Sequence, residues 1–148
     1  MSTKIEIHII HGPNLNLLGT REPEHYGSAT LEELDSRIIA CAESRGAKAV
    51  CFQSNHEGAI IDYIHGLRGT AHGIVINPAA YTHTSIAIRD AISAAGLPAV
   101  EVHLSDISKR EKFRRVSMIK DVCIGQISGL GADSYLRGID MLVEYLKK

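Results

Sequence analysis

The chain alternates five short apolar runs with amphipathic stretches, and this alternation limits the folds that it can adopt. Nearly continuous apolar strands are typical of parallel sheets covered by helices on both faces. Alternating strands and helices form a doubly wound α/β sheet with right-handed crossovers. Five strands favour a flavodoxin-like parallel sheet of order 2-1-3-4-5. The predicted strands are Lys4–Ile10, Ala47–Gln53, Gly73–Asn77, Pro98–His103 and Val122–Ser128.

The stretches between the strands predict helices with one apolar face each. The first helix begins at Thr30, which forms a capping box with Glu33, and Gly46 stands where a glycine commonly ends a helix. A short helix near Glu111–Ser117 is also expected. The three other long helices are predicted at Gly58–Leu67, Ser85–Ala95 and Ala132–Lys147.

Length and charge exclude several classes of protein. A chain of 148 residues suits a single domain, so residues 1–148 are expected to form one domain. A formal net charge of −1 argues against a protein that binds nucleic acid or an anionic membrane surface. No signal peptide and no apolar run of about 18 residues is visible, which predicts a cytoplasmic protein.

The cysteines predict no redox pair and no zinc site. Cys41, Cys51 and Cys123 are widely spaced, and no C-x-x-C occurs. They are expected to be small buried residues in a reducing compartment. His8 and His11 point to opposite faces of a strand, which disfavours a shared metal ion.

Polar side chains gather after the predicted strands. In open α/β sheets the ligand lies beyond the carboxyl ends of the strands. The loop after the first strand runs from His11 to Gly27, and loops beyond about 12–15 residues are often functional. No P-loop, H-E-x-x-H or G-x-S-x-G motif occurs in the chain. The sequence therefore predicts a ligand site of amides, imidazoles, hydroxyls and arginines at this edge.

Several blocks of sequence, in collinear order, resemble the type II dehydroquinases over essentially the whole chain. They are GPNLNLLGTREPEHYG (Gly12–Gly27), FQSNHEG (Phe52–Gly58), INPAAYTHTSIAIRDA (Ile76–Ala91), VEVHLSDI (Val100–Ile107) and FRRVS (Phe113–Ser117).

The resemblance implies a lyase with a flavodoxin-like fold. The family carries out the anti elimination of water from 3-dehydroquinate to give 3-dehydroshikimate, a step of the shikimate pathway. It implies a small-molecule substrate, no metal and no organic cofactor. It also implies a homo-oligomer, usually a dodecamer of four trimers.

The resemblance assigns roles by position. Tyr26 resembles the family's base and His103 its acid, while Arg21 matches the lid arginine beside the tyrosine and Asn14 an active-site amide. Asp90 matches a carboxylate that reaches a substrate site, expected across a subunit contact. The implied substrate-binding residues are Asn77, His83, Asp90, Leu104, Ser105 and Arg114.

The chemistry agrees with these roles. A proton alpha to a ketone is weakly acidic, and a tyrosine of pKa near 10 is only about 0.1% ionised at pH 7. Arg21 beside Tyr26 would lower that pKa, by about one to three units for close opposite charges. Asn14 would donate to the enolate, and His103 would protonate the departing hydroxyl. Backbone N–H groups and Ser105 would bind the substrate carboxylate.

Departures from the family pattern keep two alternatives open. His11 stands where asparagine is usual, Asp106 replaces an asparagine, Met118 a tyrosine and Ser134 a glycine. The first alternative is a flavodoxin-like protein that binds flavin or another anionic ligand without chemistry. The second is an inactive family member that persists as an assembly or regulatory protein.

Overall fold

Five parallel strands form one sheet in the computed structural model, which describes residues 4–20 and 29–148. The strand order is β2-β1-β3-β4-β5, so the predicted flavodoxin-like order is confirmed. All neighbours are parallel, and the register pairs His11 with both Gln53 and Asn77. The strands are β1 (Ile5–His11), β2 (Ala47–Gln53), β3 (Gly73–Asn77), β4 (Ala99–His103) and β5 (Gly125–Ser128).

Within residues 4–20 and 29–148, four α-helices cover the two faces of the sheet, and the cap residues of the first behave as predicted. The Thr30 hydroxyl accepts a hydrogen bond from the Glu33 N–H, and Gly46 has φ +78° just after the helix. No helix among the described residues is long and apolar enough to cross a bilayer. The helices are α1 (Leu31–Ser44), α2 (Glu57–Gly66), α3 (Ile86–Ala95) and α4 (Asp133–Leu146).

Alternating strand residues supply two separate cores. Ile7 and Ile9 of β1 pack with α1 and α4 on one face, whereas Ile10 packs with α2 and α3 on the other. This division follows from the two-residue period of a strand. Because both faces are covered, β3 and β4 are buried along their whole length.

Two loops approach each other closely at the carboxyl edge of the sheet. The Gly12 N–H donates to the Asn77 carbonyl at 2.8 Å. A Cβ added to Gly12 would lie 2.4 Å from the Pro78 carbonyl oxygen, so only glycine fits there. The segments after β1 and β3 are therefore held side by side.

Several predicted element bounds were wrong, most of them by one residue. β1 extends to His11, and β5 begins only at Gly125 because a 3₁₀ turn occupies Lys120–Val122. The short helix expected near Glu111–Ser117 is a single 3₁₀ turn, Lys112–Arg114.

The short helix expected near Glu111–Ser117 does not form, and this has a physical reason. Phe113 and Val116 are 65% and 53% exposed, so burial of apolar side chains does not stabilise a longer helix there. Cys41, Cys51 and Cys123 are free and only partly buried, whereas the sequence predicted buried cysteines.

Candidate active site

A pocket of about 130 Å³ lies beyond the carboxyl ends of β3 and β4. It gathers polar residues from loops that are far apart in the sequence, as expected for an open α/β sheet. Of the predicted site residues, it brings together Asn14, Asn77, His83, His103, Leu104, Ser105 and Arg114.

His103 is paired with a carboxylate that the sequence interpretation missed. Glu101 and His103 lie two apart on β4 and so share a face. The His103 Nε2 is in hydrogen-bond contact with Glu101 Oε2. Glu101 is 0% exposed and also accepts from Ser117 Oγ at 2.8 Å and from Gln126 Nε2 at 3.1 Å.

These donors keep Glu101 charged. Burial by itself would raise the pKa of Glu101, but hydrogen bonds from His103, Gln126 and Ser117 hold the pKa below its ordinary value. A carboxylate at Nε2 favours the His103 tautomer that carries its proton on Nε2. Nδ1 is then the ring nitrogen that is not engaged by Glu101. An acidic residue inside an otherwise apolar strand was the sequence signal for this partner.

Asn14 occupies a strained position that its neighbours stabilise. Its φ is +70°, in the left-handed region that asparagine tolerates better than most residues. The Asn14 N–H donates to Asn55 Oδ1 at 2.9 Å. Gln53 Nε2 donates to the same oxygen and to the Gly12 carbonyl, both at 3.1 Å. The FQSNHEG block thus holds the loop that carries Asn14.

Asn77 is fixed at the end of β3 from two sides. Its Oδ1 accepts the Ala79 N–H at 3.0 Å, which supports a backbone of φ +53° at Ala79. Its side chain also hydrogen-bonds to Tyr135, a fully buried residue of α4. The Asn77 amide is therefore held in one orientation at the pocket wall.

His83 enters the pocket from the 3₁₀ segment Ala79–His83. Its Nδ1 lies 2.7 Å from the Val116 carbonyl oxygen, so Nδ1 carries the proton and donates. Burial lowers the pKa of His83, and the nearby His103 and Arg114 lower it further. A neutral His83 then offers Nε2 as an acceptor.

Two arginines make one side of the pocket cationic. Arg110 and Arg114 both line it, and Arg110 Nη1 donates to Ser105 Oγ at 3.2 Å. Arg114 Nε donates to Glu111 Oε2 at 2.8 Å, and Glu111 also lies 3.5 Å from Arg110 Nε. A hydroxyl flanked by guanidinium groups suits an anionic ligand.

Three predicted residues are not seen in this pocket. Asp90 is exposed on α3 and is not one of the lining residues. Arg21 and Tyr26 lie outside the described residues, so their predicted roles stay predictions.

The sequence matches a family model described as "Dehydroquinase class II" over residues 5–143. The chain belongs to the class II dehydroquinase family. A protein from Ruegeria pomeroyi named 3-dehydroquinate dehydratase is 59% identical over 138 residues, covering 93% of each chain. A second protein of that name, from Geotalea daltonii, is 57% identical and is covered along 100% of its length, with 97% of this chain.

A solved structure agrees with membership of the class II dehydroquinase family. The crystal structure of type II dehydroquinase from Butyrivibrio crossotus superposes with a TM-score of 0.93 at 46% identity. The match covers 95% of this chain and 99% of that one. The fold predicted from the strand pattern is therefore the fold of the family.

Proposed function

We propose that this chain, an enzyme of the class II dehydroquinase family, converts 3-dehydroquinate to 3-dehydroshikimate by anti elimination through an enolate. The observation that carries the proposal is the His103–Glu101 pair at a pocket with a cationic wall. The pair supplies a positioned proton donor, and the wall supplies a place for the substrate carboxylate. The pathway would be the shikimate pathway.

His103 is the proposed acid. The hydroxyl leaves only when it is protonated, and a histidine does this efficiently near neutral pH. The buried Glu101 fixes the ring and stabilises the imidazolium, as a carboxylate does for a catalytic histidine in other enzymes. His103 itself is only 5% exposed, so water competes little for its proton.

Tyr26 is the proposed base, with Arg21 as the group that favours its phenolate. A guanidinium close to a phenol lowers the phenol's pKa and so raises the fraction that can remove a proton. Both residues belong to the long segment that follows β1, whose described part carries Asn14 into the pocket.

Asn14 is the proposed donor to the enolate oxygen. An oxyanion is stabilised most by donors that are fixed before it forms. The hydrogen bond to Asn55 and the 3₁₀ turn Leu15–Leu17 hold the Asn14 backbone in place before substrate binds. The proposed substrate-binding groups are Asn77, His83, Arg114, Ser105 and the backbone of Leu104.

We also propose that the chain works as a dodecamer of four trimers in the cytoplasm. Asp90 is exposed on α3 and does not line the pocket of its own chain, and in the assembly it would contact the substrate of a neighbouring subunit. Light scattering coupled to gel filtration would measure the mass. A monomer with full activity would contradict the role of Asp90.

The direct test supplies 3-dehydroquinate and follows the absorbance of the conjugated enone product. We expect turnover by the unmodified chain and its loss in Tyr26→Phe, with substrate binding retained in calorimetry. Tyr145→Phe is the matched control, since Tyr145 is 50% exposed on α4 and outside the pocket. Normal kcat in Tyr26→Phe would refute the base assignment.

A second test separates this mechanism from Schiff-base catalysis. None of the lysines lines the pocket among the described residues. Borohydride added with 3-dehydroquinate should therefore leave the mass of the protein unchanged. A stable adduct on a lysine would refute the enolate mechanism.

A further inference from the structure

A partly buried cluster outside the pocket joins three side chains that suit a metal ion. The Nδ1 or Nε2 of His11, a carboxylate oxygen of Asp35 and the Sγ of Cys51 all lie within 4.8 Å of one another. His11 ends β1, Cys51 lies on the adjacent strand β2, and α1 brings Asp35 over both. Among residues 4–20 and 29–148 this is the one such group.

From this geometry we propose that His11, Asp35 and Cys51 form a binding site for Zn²⁺, with water as the fourth ligand. Imidazole nitrogen, carboxylate oxygen and thiolate sulphur are the three ligand types that zinc takes in proteins. Magnesium and calcium are disfavoured, because they prefer an all-oxygen shell.

The distances require only a small adjustment. His11 Nε2 and Asp35 Oδ1 are 2.7 Å apart, a hydrogen-bond distance. Two ligands at about 2.0–2.1 Å from a tetrahedral zinc ion are about 3.3 Å apart. The Asp35 side chain is 26% exposed, so its carboxylate has room to move and the ion has a path from solvent.

The surroundings of His11 resemble the outer shell of a metal-bound histidine. A ligating histidine usually donates its second ring N–H to a fixed oxygen, which orients the ring. His11 Nδ1 lies 2.9 Å from the hydroxyl oxygen of Tyr135, a fully buried residue. With zinc on Nε2, the imidazole proton sits on Nδ1 and the Tyr135 oxygen accepts it.

To bind zinc, the Cys51 thiol must lose its proton. Burial raises the pKa of the Cys51 thiol, and the neighbouring Asp35 raises it further. A divalent cation reverses both effects, because it supplies positive charge at the sulphur. Zinc binding therefore forms the Zn–S bond and releases the thiol proton to solvent.

The test titrates the full-length, tag-free protein with Zn²⁺ by calorimetry and with Co²⁺ by absorbance. We expect one equivalent to bind, with the intense charge-transfer band of a cobalt thiolate. Cys51→Ser should abolish that band and weaken Zn²⁺ binding at least tenfold, whereas Cys41→Ser, a matched change at another partly buried cysteine, should leave both unchanged.

Asp35→Asn is the second variant, and it guards against a Cys51→Ser protein that does not fold. It should retain the cobalt thiolate band but weaken Zn²⁺ binding at least tenfold. Absence of a stoichiometric site in the unmodified chain would overturn the proposal. So would binding without a thiolate band, because that result assigns the ion to surface histidines.

Discussion

Two histidines end two parallel strands of this sheet, and each points its Nε2 at a carboxylate. His103 of β4 is paired with Glu101, and His11 of β1 is paired with Asp35. His103 lines the pocket, whereas His11 does not and has the Tyr135 hydroxyl at its other ring nitrogen. The same pair of groups thus occurs once at the proposed reaction centre and once outside it.

The burial of the carboxylate distinguishes the two pairs. The Glu101 side chain is wholly buried and held by donors from three residues, while the Asp35 side chain is 26% exposed. A charged group is costly to bury unless hydrogen bonds compensate it. The comparison therefore indicates that the fold retains a buried charge where the proposed chemistry needs a fixed imidazole.

The largest expected effect follows from Glu101→Gln. The amide keeps the size of the carboxylate, and its oxygen can still accept from His103 Nε2–H, but it carries no charge to stabilise the imidazolium. A general acid contributes about 10²–10⁴-fold, so we expect kcat to fall at least a hundredfold, about 2.7 kcal/mol. Steady-state assays with 3-dehydroquinate measure this fall in kcat.

Glu6→Gln is the matched control. Glu6 also lies two residues before a histidine on a strand, with its Oε2 2.8 Å from His8 Nε2, but His8 is not at the pocket. It should leave kcat unchanged. Equal losses in the two variants would show that strand histidine–carboxylate pairs matter only for folding.

The next effect concerns the buried hydroxyl that joins His11 to Asn77. Tyr135→Phe leaves His11 Nδ1 without the hydroxyl at 2.9 Å and removes a partner of Asn77. Leaving such buried groups unpaired costs about 1–3 kcal/mol in the free energy of unfolding. Urea denaturation measures it. Tyr145→Phe, at a half-exposed residue, should change stability by less than about 0.5 kcal/mol.

How far the sequence predicted each pair depends on the distance along the chain between its partners. The role of His103 was predicted from the resemblance. Glu101 could have been predicted as its partner, because the period of a strand places residues two apart on one face. Strand order was also predicted, since apolar runs and crossover rules limit it strongly.

The second pair could not be predicted. Asp35, Cys51 and Tyr135 meet His11 only because the β1–β2 register and the packing of α1 and α4 bring them together. No local spacing encodes that arrangement. The segment from Ile107 to Val122 was also predicted poorly, because its 3₁₀ turns lack the periodicity of a helix.

A third prediction uses acid to compare the buried carboxylate with its neutral replacement. Because the folded-state pKa of Glu101 lies below its ordinary value of 4.5, the unfolded chain takes up the proton first as pH falls. The stability from Glu101 is thus complete above that value and is lost as pH falls through the folded-state pKa.

The measurement is the free energy of unfolding by urea between about pH 3 and 8. Below about pH 4.5 it should fall more steeply in the unmodified chain than in Glu101→Gln, by up to about 1.4 kcal/mol per pH unit. At higher pH the difference between the two proteins should be constant. If the free energy of unfolding fell equally steeply with pH in both proteins, Glu101 would not be a charged, stabilised group.

The smallest expected effect is that of Asp35→Asn on turnover. The amide oxygen of the variant side chain can still accept from His11 Nε2–H, so the hydrogen bond that orients the His11 ring is kept. The Tyr135 hydroxyl and Asn77 keep their partners, so the pocket wall is preserved. We therefore expect kcat/KM within about threefold of the unmodified chain, from about 0.7 kcal/mol at most. A loss close to that of Glu101→Gln would mean that the charge on Asp35 reaches the reaction centre through His11, Tyr135 and Asn77, and the two histidine pairs would then be one functional network.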